Sequence, residues 1–184
     1  MSELFSIQLQ NRQQQGRDGV WLDLPTTTEQ VQAALRQIGI SSDNPQGLFI
    51  SGYFAEEEKR FAIPYNMVLA SNVDELNFLA SRLETLSTGE RAELNAALQA
   101  PQSELFSIGR ITDFPENVDY YVHLPDVHGP AQLGDYYLNR SGMVDMPKEW
   151  KGGIDAAQFG RYVAQQEQGV FTEYGYLVKS GDVW

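Results

Sequence analysis

The sequence predicts an α+β fold on three observations along its 184 residues. Short apolar runs bounded by glycine, proline and other turn residues occur near both ends of the chain and are typical of strands. The middle of the chain instead repeats apolar residues at intervals of three and four, which is the spacing of one face of an α-helix. Hydrophobic residues make up 42% of the chain, enough to form a packed core.

The strands predicted in the first part of the chain are short. Residues 4–9 and 20–24 form the first two, and Pro25 halts the second. Residues 47–54 predict a third strand. Residues 61–64 predict either a short fourth strand or an exit from the sheet.

One helix is predicted between the second and third strands. Thr26 and Glu29 have the spacing of a capping box at its start, and Gly39 lies where a glycine commonly ends a helix. The apolar stripe of this helix consists of Val31, Ala34, Leu35 and Ile38. Together with the strands it defines a predicted N-terminal α+β domain over residues 1–66.

Two capped helices are predicted in the middle of the chain. Asn72 with Glu75 resembles an N-cap pair, and Ser87 with Glu90 has the spacing of a second capping box. The apolar face of the first helix consists of Leu76, Leu79, Ala80, Leu83 and Leu86. Two helices joined by a tight turn form an αα-hairpin, so we assign residues 67–101 to a central helical domain.

The last eighty residues return to mixed structure and form the predicted third domain, α+β again, over residues 102–184. Its predicted elements are, in order, a strand at 105–111, a strand at 120–124, a helix at 133–139, a helix capped by Asp155 and running to about residue 165, and a strand at 169–179.

One hexapeptide, Ser-Glu-Leu-Phe-Ser-Ile, occurs twice, at residues 2–7 and 103–108. If two domains began with equivalent strands, this repeat would mark both starts, so a duplicated domain is one interpretation. Six residues are too few to establish a repeat by themselves.

Acidic residues outnumber basic ones along the whole chain. Twenty-five Asp and Glu face thirteen Lys and Arg, which gives a net charge of −12 and a pI near 4.5. Nucleic acid and anionic membrane surfaces repel such a chain, so we expect it to bind neither directly. An acidic surface then serves either solubility or recognition by a protein that holds polyanions.

Composition also bounds the compartment. The chain has no cysteine, which excludes disulfides, thiolate metal sites and a cysteine nucleophile and fits a reducing cytoplasm. Its first eight residues lack a basic region and a long apolar run, so we expect no secretory signal. No stretch approaches the roughly 18 apolar residues of a membrane helix. These features predict a cytoplasmic protein.

The only two histidines, His123 and His128, lie close together with Asp126 between them. This trio could ligate a metal or relay a proton in a small hydrolase. Prolines and a glycine around it make the segment a loop, however, without the helix that fixes ligand spacing in a zincin-type site. The sequence also lacks the G-x-S-x-G, P-loop and G-x-G-x-x-G motifs. We therefore expect no metal, no cofactor and no enzymatic activity.

Two acidic stretches stand out. Glu56-Glu57-Glu58 is the densest run, but Lys59-Arg60 follows it, so a solvated turn with local charge compensation is the alternative to a contact surface. Between Arg110 and Arg140 there are five acids and no basic residue. An uncompensated acidic surface describes this stretch more simply than the paired carboxylates of a glycosidase, which need a cleft and a defined separation.

Several short motifs resemble the ArdA family of antirestriction proteins. Residues 19–25, Gly-Val-Trp-Leu-Asp-Leu-Pro, are similar to the family's early G-x-W-x-x-x-P signature, and residues 74–80 resemble the start of its central helix. Further matches follow in the family's order across nearly the whole chain. They are Leu133-Gly134-Asp135-Tyr136-Tyr137, Gly142, Met146-Pro147, Ile154-Asp155, Phe159-Gly160-Arg161, Gly169-Val170-Phe171 and Gly175-Tyr176.

The chain departs from the family pattern at two places. Residues 153–157 read Gly-Ile-Asp-Ala-Ala where the family usually has Tyr-Ile-Asp-Tyr-Glu. Asn139-Arg140 stands where the family has an acidic pair. The local negative charge is therefore lower at these two places than in the family pattern. Either the imitation of a polyanion is weaker there, or the chain has a different target.

The resemblance implies an elongated protein of three small segments that forms homodimers. In this family, surface carboxylates imitate the phosphates of bent B-form DNA and occupy the DNA groove of type I restriction-modification enzymes. Mobile genetic elements carry such proteins past host restriction. On this basis we expect a non-enzymatic DNA mimic whose partner is a type I restriction-modification enzyme, and which itself binds no nucleic acid.

Thirteen acids, spread over all three predicted segments, are the candidate contacts with the target. They are Glu56, Glu57, Glu58, Asp74, Glu75, Glu84, Glu90, Glu93, Asp113, Glu116, Asp119, Asp126 and Asp135. The alternative function is a generic acidic module that inhibits or recruits some other basic DNA-binding protein.

Overall fold

The structure, a computed structural model, describes residues 3–14, 18–41, 45–181 and 183–184. Within these residues it contains eight α-helices and two three-stranded sheets, which confirms the predicted α+β class. None of the described helices is long and apolar enough to cross a membrane.

Tertiary contacts divide the chain into two units whose segments alternate along the sequence. The first unit consists of Met1–Ser87 and Leu105–Glu116, and the second of Thr88–Glu104 and Asn117–Trp184. Residues 67–101, the predicted central domain, are therefore shared between the two units. The division into three domains stays a prediction.

The first unit contains an antiparallel sheet in the order β2-β1-β3. Its strands β1 (Phe5–Asn11), β2 (Val20–Leu24) and β3 (Leu48–Phe54) confirm three predictions. Alternate residues of β1 are buried, because successive side chains of a strand point to opposite faces of the sheet. Residues 61–64 form no strand and are the exit from this sheet.

The helix that follows β2 begins one residue later than the capping pattern predicted. In α1 (Thr28–Gln37) the N-cap is Thr27, whose hydroxyl accepts a hydrogen bond from the backbone N–H of Gln30 at 3.4 Å. The backbone of Thr26 is bonded to a residue distant in sequence: its N–H donates to Asn77 Oδ1 at 2.7 Å and its carbonyl accepts from Asn77 Nδ2 at 3.0 Å. The Thr26 hydroxyl also bonds to the Gln30 side chain, whereas the capping contact to the backbone is made by Thr27.

The first predicted central helix is confirmed in its start and in its buried face. After α2 (Tyr65–Leu69), α3 (Val73–Glu84) begins behind Asn72, whose side chain accepts a hydrogen bond from the backbone N–H of Glu75 at 2.9 Å. The predicted face is fully in the core: Leu76, Leu79, Ala80, Leu83 and Leu86. The second predicted helix is α4 (Thr88–Gln99), in the second unit.

The predicted strand at residues 105–111 is wrong, because this segment leads into a helix. Ser107 caps α5 (Ile108–Thr112) by accepting a hydrogen bond from the backbone N–H of Arg110 at 3.3 Å. Ile108, Ile111 and Thr112 lie on one buried face of α5, which packs against α3 in the first unit.

The second unit has an antiparallel sheet in the order β4-β6-β5. The predicted strand at 120–124 is confirmed as β4 (Tyr121–Leu124). The single strand predicted at 169–179 is wrong, since it is a hairpin of β5 (Val170–Thr172) and β6 (Gly175–Lys179). Gly175 permits the tight turn with its φ of +122°. Helix α4 packs against β4 and β6.

The helices of the second unit follow the predictions with shifted ends. Helix α6 (Pro130–Asp135) begins earlier than predicted and continues into a π-helical turn at Tyr136–Arg140. A short α7 (Lys148–Lys151) precedes α8 (Ala156–Glu167). Asp155 caps α8 as predicted, accepting a hydrogen bond from the backbone N–H of Gln158 at 3.0 Å.

Helices α6 and α8 cross so closely that only glycine fits at their contact. A Cβ atom on Gly134 would lie 1.8 Å from the carbonyl oxygen of Ala156. A Cβ atom on Gly160 would lie 1.8 Å from the carbonyl oxygen of Pro130. This crossing covers the buried cluster of the second unit, which consists of Val127, Leu133 and Tyr176.

Candidate functional site

Most of the thirteen candidate carboxylates lie on the surface. Ten are exposed, whereas Glu84, Glu90 and Glu93 are half-buried. Eight belong to the first unit and five to the second. The exposed ones are Glu56, Glu57, Glu58, Asp74, Glu75, Asp113, Glu116, Asp119, Asp126 and Asp135.

Charge is concentrated in the middle third of the chain. Between Asp74 and Asp135, inclusive, there are eleven carboxylates and three arginines. The rest of the chain has fourteen carboxylates and ten basic residues. About two thirds of the net negative charge therefore falls on one third of the sequence.

The acidic run after β3 is partly compensated. Lys59 Nζ lies 2.9 Å from Glu56 Oε2, at the 3₁₀ turn Glu57–Lys59. The hydrogen bond and charge of Glu56, followed by the charges of Glu3 and Glu58, raise the pKa of Lys59. Within the described part of the chain, Glu57 has no ion pair. The predicted local compensation is thus present at the pair of Glu56 with Lys59.

Asp74 and Glu75 occupy the first turn of α3. Carboxylates at this position interact favourably with the partial positive charge of a helix N-terminus. The two side chains are exposed as well, so they stabilise the helix and are also accessible to a partner.

Two other candidates are paired with arginine. Glu116 bonds to Arg82 within the first unit. In the second unit, Arg140 Nε lies 3.4 Å from Asp135 Oδ2, and Asn139 Nδ2 donates to Asp135 Oδ1 at 2.9 Å. Arg140 therefore partly compensates the charge of Asp135.

Glu93 is a half-buried candidate whose ionisation is suppressed. Burial, followed by the charges of Glu90 and Asp119, raises the pKa of Glu93 to about 7. Its Oε1 atom is buried and has no hydrogen-bond partner among the residues that the structure describes. Near neutral pH this side chain therefore carries only part of a negative charge.

Two acids outside the candidate set have structural contacts in the second unit. Glu104 accepts hydrogen bonds from Lys179 Nζ at 2.8 Å and from the Tyr120 hydroxyl at 3.2 Å. Glu167 accepts from the hydroxyls of Tyr137 and Tyr176, and burial, then the Glu167 hydrogen bond and charge, raise the pKa of both tyrosines.

Sequence reasoning missed two exposed acids beside the first sheet, Glu3 and Asp23. Asp23 alternates with Trp21 along β2, and this period-two pattern places both side chains on the face of the sheet away from the core. The alternation was the signal that could have identified Asp23.

The histidine trio does not assemble into a metal site. His123 Nε2 lies 2.7 Å from the backbone carbonyl of Tyr174, and His128 is exposed. Among the residues that the structure describes, no group of three or more His, Asp or Glu is arranged to hold a metal ion. The ring of His123 instead joins β4 to the turn of the neighbouring hairpin.

The scaffold and its charges define an acidic α+β protein with most candidate carboxylates on its surface. Residues 15–178 match the family described as antirestriction protein (ArdA), so the chain belongs to this family. No curated protein matches the sequence. Membership in a family of inhibitors gives the chain an antirestriction function and restriction enzymes as partners.

Several glycines of the motifs that resemble the family build the core of the second unit. Gly134 and Gly160 form the contact of α6 with α8. A Cβ atom on Gly169 would lie 1.9 Å from the Tyr176 hydroxyl, and one on Gly175 would lie 2.4 Å from the carbonyl oxygen of Leu124. These glycines of the motifs are therefore required by the packing of the second unit, whereas the candidate acids of the unit do not take part in these contacts.

Proposed function

We propose that this chain inhibits type I restriction-modification enzymes by acting as a DNA mimic in their DNA-binding groove. The observation that carries the proposal is the exposure of ten candidate carboxylates on a scaffold of the antirestriction family. The protein works without catalysis, as a homodimer in the cytoplasm, and does not itself bind nucleic acid.

The physical basis is the exchange of one polyanion for another. A groove that grips duplex DNA does so with lysine and arginine, and each phosphate contact releases condensed counterions. Carboxylates placed against the same cations replace the phosphates. The mimic then competes with DNA for the groove and blocks the enzyme without being a substrate.

Competition with DNA tests the proposal directly. A labelled duplex with the recognition sequence is bound to a purified type I restriction-modification enzyme, and increasing amounts of the chain are added. We expect displacement of the duplex from this enzyme. Displacement from unrelated DNA-binding proteins as well would favour the alternative, a generic acidic inhibitor of basic proteins.

The salt dependence of binding is a second test. A partner that replaces six to ten phosphate contacts should lose on the order of 10³-fold or more in affinity between 50 and 200 mM salt. The measurement is a titration of enzyme by the chain at several ionic strengths. A flat response would contradict charge-based mimicry.

Charge removal should act cumulatively, because no single carboxylate dominates a distributed contact. We expect Glu57→Gln with Glu58→Gln to weaken binding at low salt and to reduce the salt slope, whereas either change alone has a small effect. Asp145→Asn with Glu149→Gln is the matched control, since it removes two exposed charges outside the candidate set. Equal losses in both double variants would show that only net charge matters.

A further inference from the structure

The first sheet has an outer face that the rest of its unit leaves open. Ser6 is paired with Asp23 on one side and with Phe54 on the other, and its hydroxyl donates a hydrogen bond to Asp23 Oδ1 at 2.6 Å. Gln8, two residues along, is paired with Trp21 and Gly52. The outer face is defined by these six residues.

Two large aromatic side chains on the outer face are exposed to solvent. Trp21 is 50% exposed and Phe54 is 59% exposed. A Cβ atom on Gly52 would lie 3.0 Å from the Trp21 ring, so the indole reaches across β1 and lies over β3. Trp and other aromatic residues are enriched among the side chains that dominate binding energy at protein interfaces.

The surroundings of these aromatics are acidic. Phe54 lines a shallow depression together with Glu3, Ser6, Glu56 and Lys59. Lys59 is paired with Glu56, so its charge is already compensated. Glu3 and Asp23 then leave the outer face and its rim negative.

This charge distribution indicates which kind of partner fits. In a two-fold dimer the same patch meets itself, so a second copy would bring Glu3 and Asp23 against like charges. A basic protein surface would instead meet the carboxylates with cations and cover the aromatic rings. Such a surface is what the proposed target offers in its DNA-binding groove.

We propose that the outer face contacts the basic groove of the restriction enzyme, with Trp21 and Phe54 as apolar anchors among its carboxylates. This inference rests on the proposed function and adds a second component to it. Ionic contacts weaken as salt rises, whereas apolar burial does not. A mimic that has both therefore keeps an apolar contribution to its affinity that does not decrease as salt rises.

The test compares two phenylalanines of similar exposure in the first unit. Phe54→Ser removes an anchor, and Phe106→Ser is the matched control, because Phe106 is 66% exposed and lies outside the outer face. Affinity for a purified type I restriction-modification enzyme is measured across a salt series, with the Glu57→Gln, Glu58→Gln double variant alongside. We expect Phe54→Ser to weaken binding about tenfold or more at every salt concentration, with the slope unchanged and Phe106→Ser near wild type.

Each other result overturns the inference in a recognisable way. If Phe54→Ser binds like wild type while the double glutamate variant weakens, the anchor is wrong and the charge-based function stands. If wild type fails to bind or shows no salt dependence, both proposals fail. If Phe54→Ser converts a dimer to a monomer, the outer face is covered by a second copy instead.

Circular dichroism checks folding of each variant. Trp21→Ser removes the second anchor and, if it folds, should weaken binding in the same way as Phe54→Ser.

Discussion

At the scale of single residues, similar carboxylates have different charges and neighbours. Glu93 is half-buried beside Glu90 and Asp119, which raises its pKa to about 7. Asp135 is exposed but bonded to Arg140 and Asn139. Net charge thus overstates how many anions the surface presents to a partner at neutral pH.

Glu93 should make the stability of the second unit depend on pH. Its folded pKa lies above the unfolded value of 4.5, so the stabilisation from proton uptake is complete below pH 4.5 and lost as pH rises through 7. Glu93→Gln should remove this slope and stabilise the protein at pH 8 by about 1–2 kcal/mol, allowing for solvent screening of a partly exposed group. Chemical unfolding between pH 5 and 8 measures it. Glu149→Gln is the control, and parallel pH curves for wild type and Glu93→Gln would contradict the prediction.

Arg140 should limit the inhibitory surface of this chain. Arg140→Glu releases Asp135 from its ion pair and adds a second negative charge beside it, so we expect binding to a type I enzyme to tighten several-fold at low salt. Arg161→Glu makes the same change in net charge at an exposed position of α8. An equal gain in both variants would argue against a local effect.

At the scale of elements, the crossing of α6 and α8 leaves no room for a side chain at its two glycines. Backbone atoms of each helix occupy the space that a side chain on the other would need. Close packing of this kind transmits strain, because neither backbone can move without shifting the core beneath it. The loops that hold Asp126 and Asp155 are therefore positioned from a rigid base.

Gly160→Ala should destabilise the protein by about 1–3 kcal/mol or more, because the added methyl would meet a carbonyl oxygen at 1.8 Å. Gly152→Ala is the matched control. An added Cβ atom there would lie 3.8 Å from the carbonyl oxygen of Glu149, an ordinary contact distance, and the φ of Gly152 is −64°. Thermal unfolding measures both variants. Equal melting temperatures would show that the crossing relaxes easily.

At the scale of the whole molecule, the supply of charge bounds what a mimic can cover. Duplex DNA carries one charge per about 1.7 Å of axis, so twenty-five carboxylates correspond to roughly 42 Å of duplex. A dimer would correspond to about twice that length. The proposal therefore requires an extended dimer with its acids along one side.

Small-angle scattering tests this requirement. A compact dimer of this length would have a radius of gyration of about 21 Å, and a compact monomer about 16 Å. The proposal predicts the mass of a dimer and a radius clearly above 21 Å. A monomer at about 16 Å would contradict both the homodimer and the extended arrangement.

Local signals in the sequence determined several elements of this protein. The cap of α3 by Asn72, the cap of α8 by Asp155 and the end of α1 at Gly39, with φ of +70°, each depend on a few neighbouring residues, so spacing predicted them. Strands β1 and β2 followed from apolar runs and their breakers.

Tertiary structure alone decided the rest, and the repeated hexapeptide shows why. Its first copy, of which Ser2 lies outside the described residues, enters β1, which pairs with a strand on each side, and its Phe5 is buried in the core. Its second copy leads into α5 with Phe106 exposed. Burial and pairing depend on partners distant in the chain, which is also why the sequence predicted acids at the surface but not that Glu93 would be half-buried or Asp135 neutralised.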